Sequence, residues 1–255
     1  MRINGNTIFI PGATSGIGLA LAVRLHEAGN QVIVGGRRTQ LLEQIAAQHP
    51  GIDTVRIDTT DADSIAAAAS EVIRRHPQLN VLIPMAGIMR AEDWTSPAGV
   101  LESAEATVTT NLLGPIRLIT AFLDQLMAQP DAAIMTVSSG LAFAPLRVTP
   151  TYNATKAAIH MLSESLRLQL AGTSVQVVEL VPPSVQSDII PGHQDDPSAM
   201  PLDEYVDEVM GLLRSQPDAA EILVERVKFL RFGEVRGDQQ QVIEVLNRTD
   251  AVAAA

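Results

Sequence analysis

Short runs of β-branched and aliphatic residues alternate along the chain with longer stretches in which apolar side chains recur every three to four positions. The first pattern fits strands buried on both faces and the second fits amphipathic helices. Strands are expected near Thr7–Ile10, Gln31–Val34, Thr54–Ile57, Val81–Met85, Ala132–Val137 and Val175–Leu180. Helices are expected over Gly16–Ala28, Gln40–His49, Asp61–His76, Leu101–Gln129 and Thr151–Ala171. Gly29-Asn30 and Pro130-Asp131 punctuate two of the crossovers, and Asp61 with Ser64 offers a cap ahead of an alanine-rich turn.

That alternation predicts βαβ units and, because parallel crossovers are right-handed, an α/β fold. The expected architecture is a Rossmann-type doubly wound parallel sheet of six or seven strands flanked by helices on both faces. Its ligand crevice lies at the carboxyl ends of the strands. After Leu180 the rhythm changes: Pro182, Pro183, Pro191, Pro197 and Pro201 interrupt the chain, and Leu202–Arg214 and Glu225–Phe232 are amphipathic. Residues 182–235 are therefore expected to form substrate-covering loop and helices, with Ala220–Val224 as a seventh, edge strand. No linker or repeat divides the 255 residues, so residues 1–255 are expected to form a single dinucleotide-binding and catalytic domain, with 251–255 as a tail.

Composition narrows the partners. A formal charge of -11 repels phosphate backbones and anionic lipid, so neither nucleic acid nor membrane is an expected partner. A bound phosphate then needs locally placed arginines. There is no run of eighteen apolar residues, and Met1–Asn6 leads directly into a strand without a signal-peptide segment, so a cytoplasmic location is expected. The chain has no cysteine, which excludes disulfides, thiolate nucleophiles and thiolate metal sites.

Directly after the first strand, Gly12-Ala13-Thr14-Ser15-Gly16-Ile17-Gly18 opens a helix. Glycines there permit a tight turn and bring backbone N–H groups to a pyrophosphate at the positive helix terminus. Strand, turn and helix stand in the order that dinucleotide binding requires. At the end of the second strand a diol-binding carboxylate is replaced by Gly35-Gly36-Arg37-Arg38. Two guanidinium groups suit a 2′-phosphate, so NADP(H) is expected over NAD(H). Asp58, with Thr59 beside it, is placed after the third strand to accept from an adenine amino group, or serves as an ordinary helix-entry aspartate.

Tyr152 and Lys156 stand four apart, on one face of a helix, in a chain with two tyrosines and two lysines. A lysine cation close by should favour the phenolate and bring the phenol toward proton exchange near neutral pH. Ser139, at the carboxyl end of the fifth strand, can hold a substrate oxygen against that phenol. No histidine–carboxylate pair stands near it in sequence to make it a nucleophile. His193 with Asp195 and Asp196 reads as a solvated loop, so no metal is expected. His26, His49, His76 and His160 read as helix-surface or helix-end residues, and Trp94 as packed beneath a loop. Leu141, Phe143, Leu146, Val148 and Ile189 flank the expected site and imply an apolar pocket for an uncharged ketone or aldehyde.

Together these residues resemble the short-chain dehydrogenase/reductase family in its single-domain form, over at least Thr7 to Ser187. Its Thr-Gly-x-x-x-Gly-x-Gly turn falls on Pro11-Gly12 through Gly18, its serine on Ser139 and its Tyr-x-x-x-Lys pair on Tyr152 and Lys156. The doubled proline and the Gly-Arg-Arg turn look similar to a bacterial branch linked to D-alanine esterification of lipoteichoic acid. The resemblance implies a fourth catalytic residue at Asn111, kinking its helix and holding a water that links Lys156 to solvent. It also implies cofactor contacts at Ala86, Gly87, Lys156, Pro182, Val185 and Ser187, and a homodimer or homotetramer. The implied activity is hydride transfer between nicotinamide and a carbonyl or secondary alcohol; a non-catalytic NADP(H) sensor on the same fold is the alternative. Three positions depart from the family: Pro11 for threonine, Met85 for asparagine and Pro183 for glycine. Pro11 and Met85 are expected to make an apolar contact in place of the lost hydrogen bond.

Overall fold

The computed structural model describes residues 1–190 and 192–248, so Pro191 and the expected 251–255 tail lie outside the described residues. Seven strands form one sheet: β1 (Thr7–Pro11), β2 (Gln31–Gly36), β3 (Asp53–Arg56), β4 (Val81–Leu82), β5 (Ala132–Val137), β6 (Val175–Leu180) and β7 (Glu221–Ile222). All pair in parallel, in the order β3-β2-β1-β4-β5-β6-β7. The order reverses between β1 and β4, which opens a crevice at their carboxyl ends.

Between and after the strands run α1 (Gly16–Glu27), α2 (Thr39–Gln48), α3 (Ala62–Arg75), α4 (Val100–Val108), α5 (Gly114–Met127), α6 (Pro150–Gln169) and α7 (Leu202–Ser215). Three short helices close the described chain: α8 (Lys228–Arg231), α9 (Gly233–Arg236) and α10 (Gln239–Leu246). Successive strand residues face opposite sides. Ile8 and Ile10 of β1 therefore pack with Leu21 and Leu25 of α1, Leu42 and Ile45 of α2 and Val209 and Leu213 of α7. Phe9 packs on the other side with Ile65 and Val72 of α3, Leu118 and Phe122 of α5 and Leu170 beyond α6. The rings of Phe9 and Phe122 meet at 5.3 Å, and emptying such a site costs about 3–5 kcal/mol.

Asp61 caps α3 by accepting from Asp63 and Ser64 N–H, as its position in the sequence implies. Elsewhere the structure departs from the periodicity. β4 was expected to reach Met85 but keeps its ladder on both sides only to Leu82. Ile83 N and Met85 N still donate to Phe9 O and Pro11 O, while Pro84 has no N–H to offer the β5 side. The long helix expected over Leu101–Gln129 is broken at Thr109–Leu113 into a π-helical turn. Pro115 lies in the first turn of α5 and cannot donate to the carbonyl four residues back, so the turn widens there. Val100–Met127 is long and apolar enough, by length and composition only, to cross a membrane. Here Leu118, Ile119, Phe122 and Leu126 are buried in the core. Finally, α7 is not part of a cover: its buried Tyr205, Val206, Val209 and Leu213 make it a layer of the core beside α1.

Candidate active site

The glycine turn is shaped by backbone contact. Gly12 has φ +92°, and a Cβ built on it would stand 2.3 Å from Ala86 N. Pro11 O accepts from both Met85 N (3.0 Å) and Ala86 N (3.1 Å), which ties the turn to the segment after β4. Met85 Cγ fills the space beside Gly18, 2.8 Å from where a Cβ would be, and the Met85 side chain packs on the core. Neither Pro11, which is buried, nor Met85, which is half-buried, turns out to solvent. At the start of α1 the Ser15 side chain makes no capping hydrogen bond, and no acidic residue stands in the first turn. The first N–H groups of the helix are thus left without a side-chain partner at its positive end, where an anion is favoured.

Above this turn lies a cleft of about 590 Å³. Nine of the expected cofactor residues line it: Gly12, Thr14, Ser15, Arg37, Arg38, Asp58, Thr59, Ala86 and Gly87. Arg38 donates to Thr14 Oγ1 at 3.1 Å across the cleft. The Thr14 methyl occupies space that only a glycine leaves free, because a Cβ on Gly36 would meet it at 2.4 Å. Asp58 Oδ1 accepts from Thr60 N–H and Thr60 Oγ1. Burial acts against its ionisation, yet these hydrogen bonds and the nearby Arg37 and Arg56 hold its carboxyl below the ordinary aspartate value. The cavity, the uncapped helix start and the paired arginines fit a phosphorylated dinucleotide. Sequence reasoning missed the α4 wall, where Glu102, Glu105 and Ala106 with Thr109, Thr110 and Arg90 complete the cleft. Their approach depends on how α4 is rotated, which no local pattern reports.

The other expected cofactor residues do not line this cleft. Gly18 is buried under Met85, and Ile17 packs on the core. Pro182 O accepts from Gly140 N at 2.9 Å, Val185 bridges to Met200, and Ser187 Cβ lies 3.4 Å from a Cβ position on Gly16. The chain after β6 therefore lies against the glycine turn, and Gly16 takes part in that closure.

Tyr152 and Lys156 project from one face of α6, both buried, with Nζ 5.5 Å from the ring centroid. Lys156 Nζ donates to Val137 O at 2.9 Å. Ser139 Oγ accepts from Leu141 N at 3.1 Å and hydrogen-bonds the Tyr152 phenol. Asn111, in the π-helical turn, accepts from Ile88 N (2.9 Å), donates to Ile88 O (2.8 Å) and reaches Thr155 Oγ1 at 3.4 Å. It thereby joins the kinked helix, the segment after Gly87 and α6.

The expected acidic phenol is corrected here. Burial pushes the Tyr152 phenol up to about 12, opposed by the Ser139 hydrogen bond. Burial also pulls the Lys156 ammonium down to about 8, opposed by Glu179. The cation is directed at a strand carbonyl, and desolvation, which favours neutral forms, sets the direction for both groups.

A second hollow, about 210 Å³, is lined by Leu141–Pro145 and by Asn153, Ala154 and Ala157 of α6. Leu141 and Phe143 line it; Leu146, Val148 and Ile189 do not. The Phe143 ring lies edge-on to His160 at 4.6 Å and beneath the Arg231 guanidinium at 4.4 Å. His160, expected on the helix surface, is paired with the buried Glu179. Trp94, expected beneath a loop, is 62% exposed and donates to Glu92. His193 Nε2 pairs with Ser184 Oγ rather than with the neighbouring aspartates.

The family model described as short chain dehydrogenase matches residues 6–197. The chain belongs to the short chain dehydrogenase family. An uncharacterized oxidoreductase, DltE, from Bacillus subtilis (strain 168) is 38% identical over 251 residues, covering 97% of this chain and 98% of the relative. An NADPH-dependent 1-acyldihydroxyacetone phosphate reductase from Schizosaccharomyces pombe is 32% identical over 71% of this chain and 60% of its own. Among solved structures, a short chain dehydrogenase from Burkholderia cenocepacia J2315 in complex with NADP superposes with a TM-score of 0.82 at 27% identity, covering 96% and 99% of the two chains. As a short chain dehydrogenase, the protein is a nicotinamide-dependent oxidoreductase acting between CH–OH and C=O.

Proposed function

We propose that this short chain dehydrogenase uses NADP(H) in preference to NAD(H) and reduces an uncharged, apolar ketone or aldehyde. The observation that carries this reading is the Ser139–Tyr152 pair with Lys156 one helical turn on, Ser139 following β5 as Arg37 and Arg38 follow β2 at the carboxyl ends of one parallel sheet. Gly12, Thr14 and Ser15 with the start of α1 would hold the pyrophosphate, and Arg37 and Arg38 the 2′-phosphate. The NADP complex of the Burkholderia relative and the NADPH dependence of the yeast reductase support that choice.

Bound there, NADPH supplies the hydride. The chain supplies the proton. A phenol held neutral up to about 12 keeps its O–H at physiological pH, so Tyr152 is a general acid for the substrate oxygen in the reductive direction. Ser139 Oγ orients that oxygen, and Asn111 braces α6 against the segment after Gly87. Leu141, whose N–H bonds Ser139 Oγ, favours apolar substituents at this end; Phe143 serves as packing between His160 and Arg231.

An NADPH-depletion screen over neutral ketones, aldehydes and keto acids, run beside Tyr152→Phe, tests the reading. Turnover should favour neutral carbonyls and fall by at least about 10³-fold in Tyr152→Phe with cofactor binding kept. Tight NADPH binding without turnover across the panel would instead establish the sensor alternative. The exposed outer faces of α4 to α6, with Leu101, Ile116, Met161 and Leu168, support a homodimer or homotetramer. A monomer by light scattering at micromolar concentration refutes that assembly.

A further inference from the structure

Glu179, in β6, is buried completely. A carboxylate in that position is costly unless charge and hydrogen bonds compensate it. Among the described residues one donor reaches it: His160 Nδ1, at 2.9 and 3.1 Å from its two oxygens. His160 lies one helical turn beyond Lys156 on α6, so the two side chains descend on the same part of the β5–β6 surface.

Lys156 is the cation set over this part of the sheet: its Nζ is held at Val137 O, next to Thr136, the β5 residue opposite Glu179, while the Glu221 carboxylate comes within 4.8 Å of that of Glu179. Glu221, beside Glu179 on β7, is held by both arms of Arg231 at 2.8 and 3.0 Å. Arg167 of α6 is paired with Glu164 and with Val177 O. On β5 the residue opposite Glu179 is the uncharged Thr136, bonded to Ser163. His160 orients the carboxylate, and its ring is fixed by Phe143. The field of Glu179 acts to keep the buried Lys156 charged.

We propose that Glu179, oriented by His160, is a positioning residue that acts as the buried counter-charge keeping Lys156 an ammonium. The assignment of a role in turnover rests on the catalytic reading above; the charge relation itself does not. Removing the carboxylate leaves desolvation of the ammonium unopposed, so lysine should lose its proton at lower pH.

The chain has two lysines, which makes the test direct. Labelling with ¹³Cε-lysine yields two resonances, and Lys228→Arg assigns that of Lys156. In Glu179→Gln the Lys156 titration midpoint should drop by about one pH unit or more, with Glu179→Asp restoring most of it. The high-pH limb of NADPH oxidation should move by the same amount. A midpoint changed by less than about 0.3 pH unit in Glu179→Gln overturns the proposal, as does a moved midpoint with an unmoved pH profile in a protein that does turn over a carbonyl. A ¹³Cδ-glutamate spectrum of the unmodified protein, assigned with Glu179→Asp, must show Glu179 ionised at neutral pH. If it is protonated there, the proposal fails even where Glu179→Gln does not fold. A moved midpoint in a protein that turns over no carbonyl supports the counter-charge and overturns the reductase reading.

Discussion

Gly12 and Gly36 offer a paired perturbation in which similar overlaps should have different consequences. A Cβ on Gly12 falls 2.3 Å from Ala86 N, 2.4 Å from Ala86 Cα and 2.7 Å from Ala86 Cβ, while one on Gly36 falls 2.4 Å from the Thr14 methyl. At Gly12 the obstacle is backbone, and φ +92° is unfavourable for any side chain, costing about 1–3 kcal/mol. Relief requires the Met85-Ala86 segment to withdraw, which stretches its two hydrogen bonds to Pro11 O, each worth about 1 kcal/mol. The total is about 3–5 kcal/mol, equivalent to a Tm lower by roughly 6–20 °C in a domain of this size. At Gly36 the Thr14 side chain can turn about χ1, at about 1 kcal/mol. The turn breaks the 3.1 Å bond from Arg38. Gly12→Ala should therefore lose stability and NADPH affinity together, while Gly36→Ala keeps its Tm within about 4 °C and loses NADPH affinity selectively. Differential scanning fluorimetry and NADPH fluorescence titration read both. Equal Tm losses in the two variants, or a Gly12→Ala protein that melts and binds as the unmodified one does, would refute the close-approach argument.

Arg38→Gln should raise the KM for NADPH roughly ten- to hundredfold, the 1.5–3 kcal/mol of a hydrogen bond to a charged group, and leave that for NADH within about twofold; equal effects on both would remove Arg38 from the 2′-phosphate site. Glu92 accepts from Thr151 N (3.2 Å), Thr151 Oγ1 (2.8 Å), Trp94 Nε1 (3.2 Å) and Ser103 Oγ (3.2 Å), and so caps α6, whose own Thr149 makes no capping bond. Glu92→Ala should cost about 1 kcal/mol, or roughly 2–4 °C in Tm, and lower kcat more than it raises KM because the start of α6 carries Tyr152. Burial acts against the Glu92 charge, but those hydrogen bonds hold its carboxyl below the ordinary glutamate value of 4.5. Its stabilisation is then complete above that value and lost as pH falls through the lower folded value. The Tm difference between the two proteins should narrow on acidification below 4.5, and a gap constant down to about pH 3 would contradict this.

The parts legible in the sequence were those governed by neighbours along the chain. Alternating periods of two and 3.6 specify which segments are strands and which are helices, and right-handed crossovers then order the sheet and place its crevice. The Gly12–Gly18 turn could be read because strand, turn and helix must follow one another, and Tyr152 with Lys156 because four residues make one helical turn. Tertiary structure alone decided what depends on groups distant in sequence. Pro84 and Pro115 trimmed β4 and widened the long helix because of the partners their missing N–H groups would have had. Phe143 went beneath Arg231, a contact across 88 positions that no local pattern contains. Burial likewise reversed the acidity expected for Tyr152, and joined His160 to Glu179 behind Lys156. Desolvation is a sum over everything packed around a group, and that sum exists only once the chain has folded.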